Sequence, residues 1–356
     1  MSSTVPIELD GAAGGQVLRT ALTLALITGT PFRLAGFRTD HPSAGVRPRH
    51  LALLRAAEAV GGTAEAALGA TEVSFAPEPV RSGEYVLELG PMGSAPQVFQ
   101  LLAFPLALAG GGSLRLRGLT HAPLGPSYHH LAWAWLPWVQ GYGLRASLSL
   151  LKAGFAPGGE GEFRARVEAI APVPGRIEAP ARGTLHEVEV RALVGGLPFE
   201  VAVRETRAAE MALRERGIYC SVENLPLPVG RTPGSLVFVR AQFENAFAAF
   251  TVVGKRAEVP EDVGGRAAAA LAAFMETGGA LDEHLADQLL VPAALLAAGS
   301  LGASSPGSTR FTTSGFTPRL EATVRVVERF LPVEVALAPP GQVDVRRRTE
   351  PRPDGT

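Results

Sequence analysis

One pattern recurs three times along these 356 residues and limits the fold more than any other feature. Apolar residues at helical spacing run from Gly15 to Ile27, stop at Gly29, and give way to alternation in Phe32 to Leu34. A second helix from Pro48 to Val60 stops at Gly61-Gly62, and Thr71 to Phe75 then reads as a strand. The same order returns as a helix from Gln97 to Ala109, a strand from Ser113 to Arg117, a helix from Ser127 to Gln140 and a strand after Gly143. It returns again as a helix from Ala286 to Ala298, a strand from Arg310 to Thr313, a helix from Leu320 to Phe330 and a strand from Pro332 to Ala336. Three helix-strand-helix-strand units predict an α+β body of helices layered on sheets.

Spacing locates an insertion. Gln16 and Gln100 stand 84 positions apart, whereas Gln100 and Gln288 stand 188 apart, so roughly 90 to 100 additional residues, a small domain, separate the second and third units. Linker-like Pro174 to Pro180 and Thr277 to Gly279 set its limits near 182 and 278. Inside, strands are expected at His186 to Leu193, Phe199 to Arg204, Ser235 to Arg240 and Ala246 to Val253, with helices at Ala208 to Arg216 and Gly264 to Phe274. The expected division is therefore body over 1–181, insert over 182–278, body again over 279–338, and a disordered tail over 339–356, which is polar, charged and rich in proline. Arg346 to Arg348 in that tail read as solvated, with RNA contact as the alternative.

Composition removes several function classes. A single cysteine, Cys220, leaves no internal disulfide and no thiol metal cluster, and fits a reducing compartment. Apolar runs such as Leu101 to Ala109 are too short for a membrane span, and the first ten residues lack a signal-peptide pattern, so a cytoplasmic protein is expected. Formal net charge is −1, yet only Lys152 and Lys255 among the 33 basic residues are lysines. Genomic base composition explains part of that bias, and the arginines also suit bidentate phosphate recognition. With so small a net charge, a nucleic-acid partner has to be held by a local patch.

The densest such patch lies in the first unit, where from Gln16 to Arg55 the residues Arg19, Arg33, Arg38, Arg47, Arg49 and Arg55 stand against Asp40 alone. It adjoins a glycine turn (Gly11, Gly14, Gly15) that opens a helix, a combination suited to phosphate, although any single arginine reads equally as a solvated helix face. Gly154 to Phe163 is a second glycine-rich turn, without the lysine and hydroxyl of a P-loop. Asp287 opens an apolar helix, where a carboxylate serves as dipole partner or as holder of a divalent cation near phosphates. The seven histidines show no zinc spacing and no acyl-transfer arrangement, and His50 and His130 read as caps or packing groups.

Taken together, Leu9-Asp10-Gly11, Gly14 to Thr20, Arg47 to Leu51, Gly154 to Phe163, Leu285 to Leu290 and Val326 to Pro332 resemble the RNA 3'-terminal phosphate cyclase family, in the family's order, from about Ile7 to Leu337. The resemblance implies a three-repeat body with a thioredoxin-like insert. It implies a chemistry as well: a histidine takes AMP from ATP, AMP passes to an RNA 3'-phosphate, and the neighbouring 2'-hydroxyl closes a 2',3'-cyclic phosphate, with Mg2+ or Mn2+ sharing the charge. Carried over by position, Gln16, Arg19, Arg38, Gln100, His284 and Asp287 would bind nucleotide or phosphate, His41, Arg47 and Arg49 would meet RNA, and Asp287 would hold the metal.

Departures accompany the likeness. Aligning back from Val326 puts Arg319 where the family has its nucleophilic histidine, and no histidine follows His284. A guanidinium stays protonated and offers no lone pair for adenylylation. The family's Glu-Gly-Gly-Gly-Gln run is shortened to Ala13-Gly14-Gly15-Gln16, His41 stands where the family has arginine, Arg49 replaces a glutamine, and Glu160 replaces a glycine. The expected function is a cyclase-like protein that binds RNA 3' ends or nucleotide without the histidine-adenylate cycle. The alternative is an ATP-dependent cyclase whose nucleophile has moved to His41, His284 or Lys255. Neither reading calls for DNA or a membrane as partner. Enolpyruvyl transferases share the repeat architecture, but that chemistry expects a lysine near the amino terminus, and the first here is Lys152.

Overall fold

A computed structural model describes residues 5–123, 125–228, 230–302 and 306–349. Each repeat folds as six elements, strand-helix-strand-helix-strand-strand. The first comprises β1 (Ile7–Asp10), α1 (Gly15–Thr28), β2 (Phe32–Ala35), α2 (Pro48–Gly61), β3 (Gly62–Glu65) and β4 (Val73–Pro77). Its sheet runs β1-β2-β4-β3, with β1 and β2 parallel and the other neighbours antiparallel. The second comprises β5 (Gly83–Glu88), α3 (Ala95–Leu108), β6 (Gly111–Gly118), a composite helix, β7 (Ala146–Lys152) and β8 (Gly161–Glu168), in sheet order β5-β6-β8-β7. The composite helix joins α4 (Tyr128–His130), a π-helical turn (Leu131–Trp135) and α5 (Leu136–Val139).

The third repeat begins with β9 (Arg176–Ala179), and the insert follows that strand directly. The insert holds β10 (Leu185–Gly195), α6 (Glu200–Arg214), β11 (Ser221–Pro226), β12 (Gly234–Phe243), β13 (Phe247–Val253) and α7 (Pro260–Met275). Its mixed sheet runs β11-β10-β12-β13, and one face carries a separate core of Val188, Val190, Val237, Val239, Leu271 and Phe274. The third repeat resumes with α8 (Glu283–Ala298), β14 (Ser308–Thr312), α9 (Pro318–Phe330), β15 (Val333–Ala338) and β16 (Gln342–Arg347). Its order, β9-β14-β16-β15, is that of the other two repeats.

Repetition of the order explains a correction to the expected tail. Residues 342–347 form β16, the strand equivalent to β4 and β8, and they are the partner on which β15 and β14 both depend. Val343 and Val345 are fully buried between charged neighbours, so the run is a two-residue alternation that the surrounding prolines and arginines obscure. Arg346 pairs with Glu334, and Arg348 donates to the Val333 carbonyl at 2.7 Å. Residues 350–356 of the expected tail lie outside the described residues. A second correction concerns Phe199 to Arg204, where Phe199 is the N-cap of α6 and Glu200 to Arg204 its first residues. Its alternating valines suggest a strand, but the buried positions Ala202, Glu205, Thr206, Ala209 and Leu213 follow the helical repeat.

Helices α1, α3 and α8, the first of each repeat, bury most of their surface in one core shared by all three units. They meet at the centre of the body, so polar residues on their inner faces find partners in another repeat as well as on their own helix. Two chain crossings tie the insert to this body, and Arg182 clamps both. Its guanidinium donates to the carbonyls of Phe274, Met275, Thr277 and Gly279 at 2.8 to 3.2 Å and lies over the rings of Phe243 and Phe274.

Candidate functional site

Polar side chains from all three repeats converge where α1, α3 and α8 meet. Arg19 Nη2 donates to Gln16 Oε1 at 2.6 Å, and Nη1 donates to Gln100 Oε1 at 3.0 Å. Gln100 Nε2 donates to Gln288 Oε1 at 2.6 Å, and Gln16 Nε2 donates to Thr323 Oγ1 on α9 at 3.1 Å. Gln288 Nε2 lies 3.3 Å from His130 Nε2. The three glutamines whose spacing exposes the repeat are thus joined in one network around a single guanidinium. Arg19, Gln100, Asp287, Gln288 and Trp135 line a small cavity of about 30 Å³ beside it.

Charge in this pocket is unbalanced. Burial lowers Arg19 to about 10, Arg319 adds to the lowering, and Asp287 opposes it. Arg19 is therefore still a cation near pH 7. Asp287 Oδ1 accepts a 2.7 Å hydrogen bond from Thr317, whose Oγ1 also accepts from the Leu320 N–H and so caps α9. Burial pushes Asp287 up to about 6, against the pull of that hydrogen bond, His284 and Arg319. Arg319 stands exposed at the start of α9 beside the pocket, and an anion bound near Arg19 and Arg319 would relieve their mutual repulsion. The arrangement suits phosphate oxygens.

A second group stands at the amino end of α1. Gly14, in the left-handed region at φ 73°, leaves room for Arg38: a Cβ at Gly14 would lie 2.9 Å from Arg38 Cγ. Arg38 is buried, and its guanidinium donates to Gly45 O and Ser43 Oγ, both at 3.3 Å. The Arg47 N–H donates to His50 Nδ1 at 3.0 Å, which opens α2. Burial, then the charges of Arg49, Arg38 and Arg47, push His50 down to about 3, so this ring is neutral and belongs to the scaffold. His41 is exposed and accepts from the Ser43 N–H at 3.1 Å. No acidic residue occupies the first turn of α1, so no carboxylate of that turn competes for its unpaired N–H groups.

Of the expected site residues, Gln16, Arg19, Gln100 and Asp287 share the central pocket, while Arg38, His41, Arg47 and Arg49 form the adjoining loop group. His284 lies one turn before Asp287 on α8 with an exposed side chain. Lys255 sits in the insert, between β13 and α7. Sequence reasoning misses Gln288, His130, Thr323 and Trp135 as parts of the site. Gln288 had a signal, since it takes the place in the third repeat's first helix that Gln16 and Gln100 take in the other two. His130 and Trp135 had none, because their approach depends on the π-helical turn.

Among the described residues no three His, Cys, Asp or Glu side chains converge on one point that could hold a metal ion. Asp287 can offer one carboxylate, the share that Mg2+ commonly takes when substrate phosphates and water supply the rest. No helix among the described residues is long and apolar enough to cross a membrane.

A profile described as RNA 3'-terminal phosphate cyclase matches residues 10–337. A protein of that name from Methylococcus capsulatus is 36% identical over 97% of this chain and 97% of its own. Others so named, from Ralstonia nicotianae and Pseudomonas aeruginosa, are 36% and 38% identical over 93% and 92% of this chain and 93% and 94% of theirs. Among solved structures, the enolpyruvyl transferase NikO from Streptomyces tendae superposes with a TM-score of 0.26 at 17% identity, over 46% of this chain and 33% of that one. The profile match and the near full-length relatives span all three repeats and the insert, and the chain belongs to the RNA 3'-terminal phosphate cyclase family.

Proposed function

We propose that this protein binds phosphate-bearing RNA 3' ends, and nucleotide, in the pocket between α1, α3, α8 and α9, without adenylylating a side chain at the start of α9. The observation that carries this reading is Arg319. By position it stands where the family's nucleophilic histidine is expected, and its charge is felt by both Arg19 and Asp287. It can hold a phosphate but cannot attack one. Gln16, Arg19, Arg38, Gln100 and Asp287 form the phosphate and nucleotide side of the site, with His284 flanking the base. His41, Arg47 and Arg49 meet the RNA backbone. A divalent cation would be held by Asp287 and would neutralise phosphate charge there.

A second reading keeps the cyclase reaction with another nucleophile. It is favoured by the names of the relatives and by His284, whose side chain is exposed one turn from Asp287. His130 serves it poorly, because its Nε2 faces the Gln288 amide in a buried setting that lowers it to about 4. His41 stands in the arginine loop, and Lys255 lies in the insert.

Incubation with ATP labelled at the α-phosphate and Mg2+ or Mn2+, with and without RNA ending in a 3'-phosphate, separates the two. The first reading expects salt-dependent RNA binding with neither protein-bound AMP nor a cyclised end. Covalent AMP with cyclic product would replace it by the second, and mapping the adduct would name the nucleophile. Arg19→Ala or Arg38→Ala should weaken RNA binding at least about tenfold. Unchanged affinity in both variants would remove the binding reading.

A further inference from the structure

The α4–α5 segment is the second helix of its repeat, the counterpart of α2 and α9, and differs from both. Leu131 to Trp135 form a π-helical turn, closed by the Leu136 N–H donating to Leu131 O. Pro137 supplies a cause. It has no N–H, and its ring obstructs the carbonyl of Trp133 four residues earlier, so the regular ladder cannot continue. In an unbroken α-helix residues five apart diverge by about 140°. The wider turn instead brings His130 and Trp135 to the same side: His130 reaches Gln288, and Trp135 lines the pocket with Arg19 and Asp287. The Trp135 indole Nε1 is buried there and has no partner among the described residues.

The opposite side of the segment carries the insert. Trp133 stands 5.1 Å from the ring of Phe238 on β12, and the Arg191 guanidinium of β10 lies over its indole at 5.0 Å. Trp138 stands 5.4 Å from Phe247 on β13, which in turn lies under Arg240 at 4.5 Å. Ala134 is buried in one apolar cluster with Leu193, Leu236 and Phe238 of the insert. One short helix, interrupted by proline, therefore touches the candidate site on one side and the insert on the other.

We propose that the insert is a positioning element for the candidate site, acting through Trp133: its grip on that indole holds the π-helical register that carries His130 and Trp135 to the pocket. What is positioned there rests on the binding function proposed above. A π turn is rare and occurs as a single bulged turn within an α-helix, so its register depends on what packs around it. Here the packing comes from two sides, and Arg182 ties together the chain segments by which the insert leaves and rejoins the body. A change at the insert should therefore alter the pocket wall with no direct contact between them.

The chain has three tryptophans and all lie in this segment, so tryptophan fluorescence, excited at wavelengths its four tyrosines do not absorb, reports on this segment alone. In a Trp133→Phe, Trp138→Phe background only Trp135 emits. Adding Phe238→Ala, a change confined to the insert, should then move Trp135 emission to longer wavelength as the pocket wall loosens. Unmoved emission would overturn the proposal, and this arm needs no ligand. In the otherwise unaltered chain, Trp133→Ala should weaken binding of a 3'-phosphate RNA oligonucleotide about tenfold, while Trp133→Phe stays within about twofold. Parental affinity in Trp133→Ala would also overturn it. Should Trp133→Ala fail to fold, Arg191→Ala tests the same grip from the insert side. If the parent binds neither RNA nor nucleotide, the functional reading fails by itself and the Trp135 emission still decides the positioning role.

Discussion

The body repeats and the insert are built from the same parts, two helices and a four-stranded sheet, but they bury polar groups in opposite ways. In the body, Arg19 is satisfied by Gln16 of its own helix and Gln100 of the next repeat, and the chain continues to Gln288 and Thr323 of the third. In the insert, Glu205 of α6 is fully buried, its Oε1 accepts only from Ser235, and its Oε2 has no partner among the described residues. A unit standing alone has no neighbouring repeat from which to draw partners. Three units around a centre can share hydrogen bonds around one buried guanidinium, and the candidate site lies at their meeting point, where only the Trp135 indole N–H of its wall is left without a partner among the described residues.

If the body's polar centre needs three closed repeats, opening the third should be the most damaging change. Val343→Asp puts a carboxylate into the core beneath β16 and should cost more than about 4 kcal/mol. Tryptophan emission should then report an unfolded body in the absence of denaturant. A native spectrum would mean that β16 is dispensable and that two repeats suffice. The next largest effect is expected where the two regions join. Arg182→Ala removes four charge-assisted hydrogen bonds and two ring contacts, and should cost about 3 kcal/mol. Urea unfolding should separate into two transitions, body and insert. A single transition at the parental midpoint would show that the aromatic seam alone couples them.

The sequence makes the periodic part of this architecture legible and conceals the part that depends on partners. Helices α1, α3 and α8 stand out because their apolar runs end at glycine, and the spacing of Gln16, Gln100 and Gln288 places the insertion. The outer strands β1, β5 and β9 bury at most one residue each, and charged residues such as Glu8, Glu84 and Arg176 leave them without a contrasting apolar face. β16 is hidden by its charged flanks, and α6 by valines that alternate over the first turn of a helix. Within the site, Arg19 and Asp287 are visible as charges beside apolar helices. His130 and Trp135 come to the same side through a π turn, for which Pro137 is a sign of interruption but not of which side chains it brings together.

The smallest expected effect tests the insert's solitary carboxyl. Burial, with the nearby charge of Glu258, raises Glu205 to about 7 from 4.5, although the Ser235 hydrogen bond pulls the other way. A carboxyl raised on folding favours the protonated native state. Its stabilising contribution is whole below about pH 4.5, where Glu205 is protonated folded or unfolded, and is lost as pH rises through about 7. The insert should therefore be less stable at pH 8 than at pH 5 by about 2 kcal/mol from this group. Glu205→Gln, neutral at every pH, should remove that slope, matching the parent near pH 5 and exceeding it at pH 8. Thermal unfolding of both proteins across that range measures the difference. Asp282 and Asp287 are also raised by burial, but both lie in α8 or at its cap, and the variant leaves their contribution unchanged. An identical slope in parent and variant would mean that Glu205 finds a partner when ionised, and the contrast between a shared polar centre and an isolated one would then fail on the insert's side.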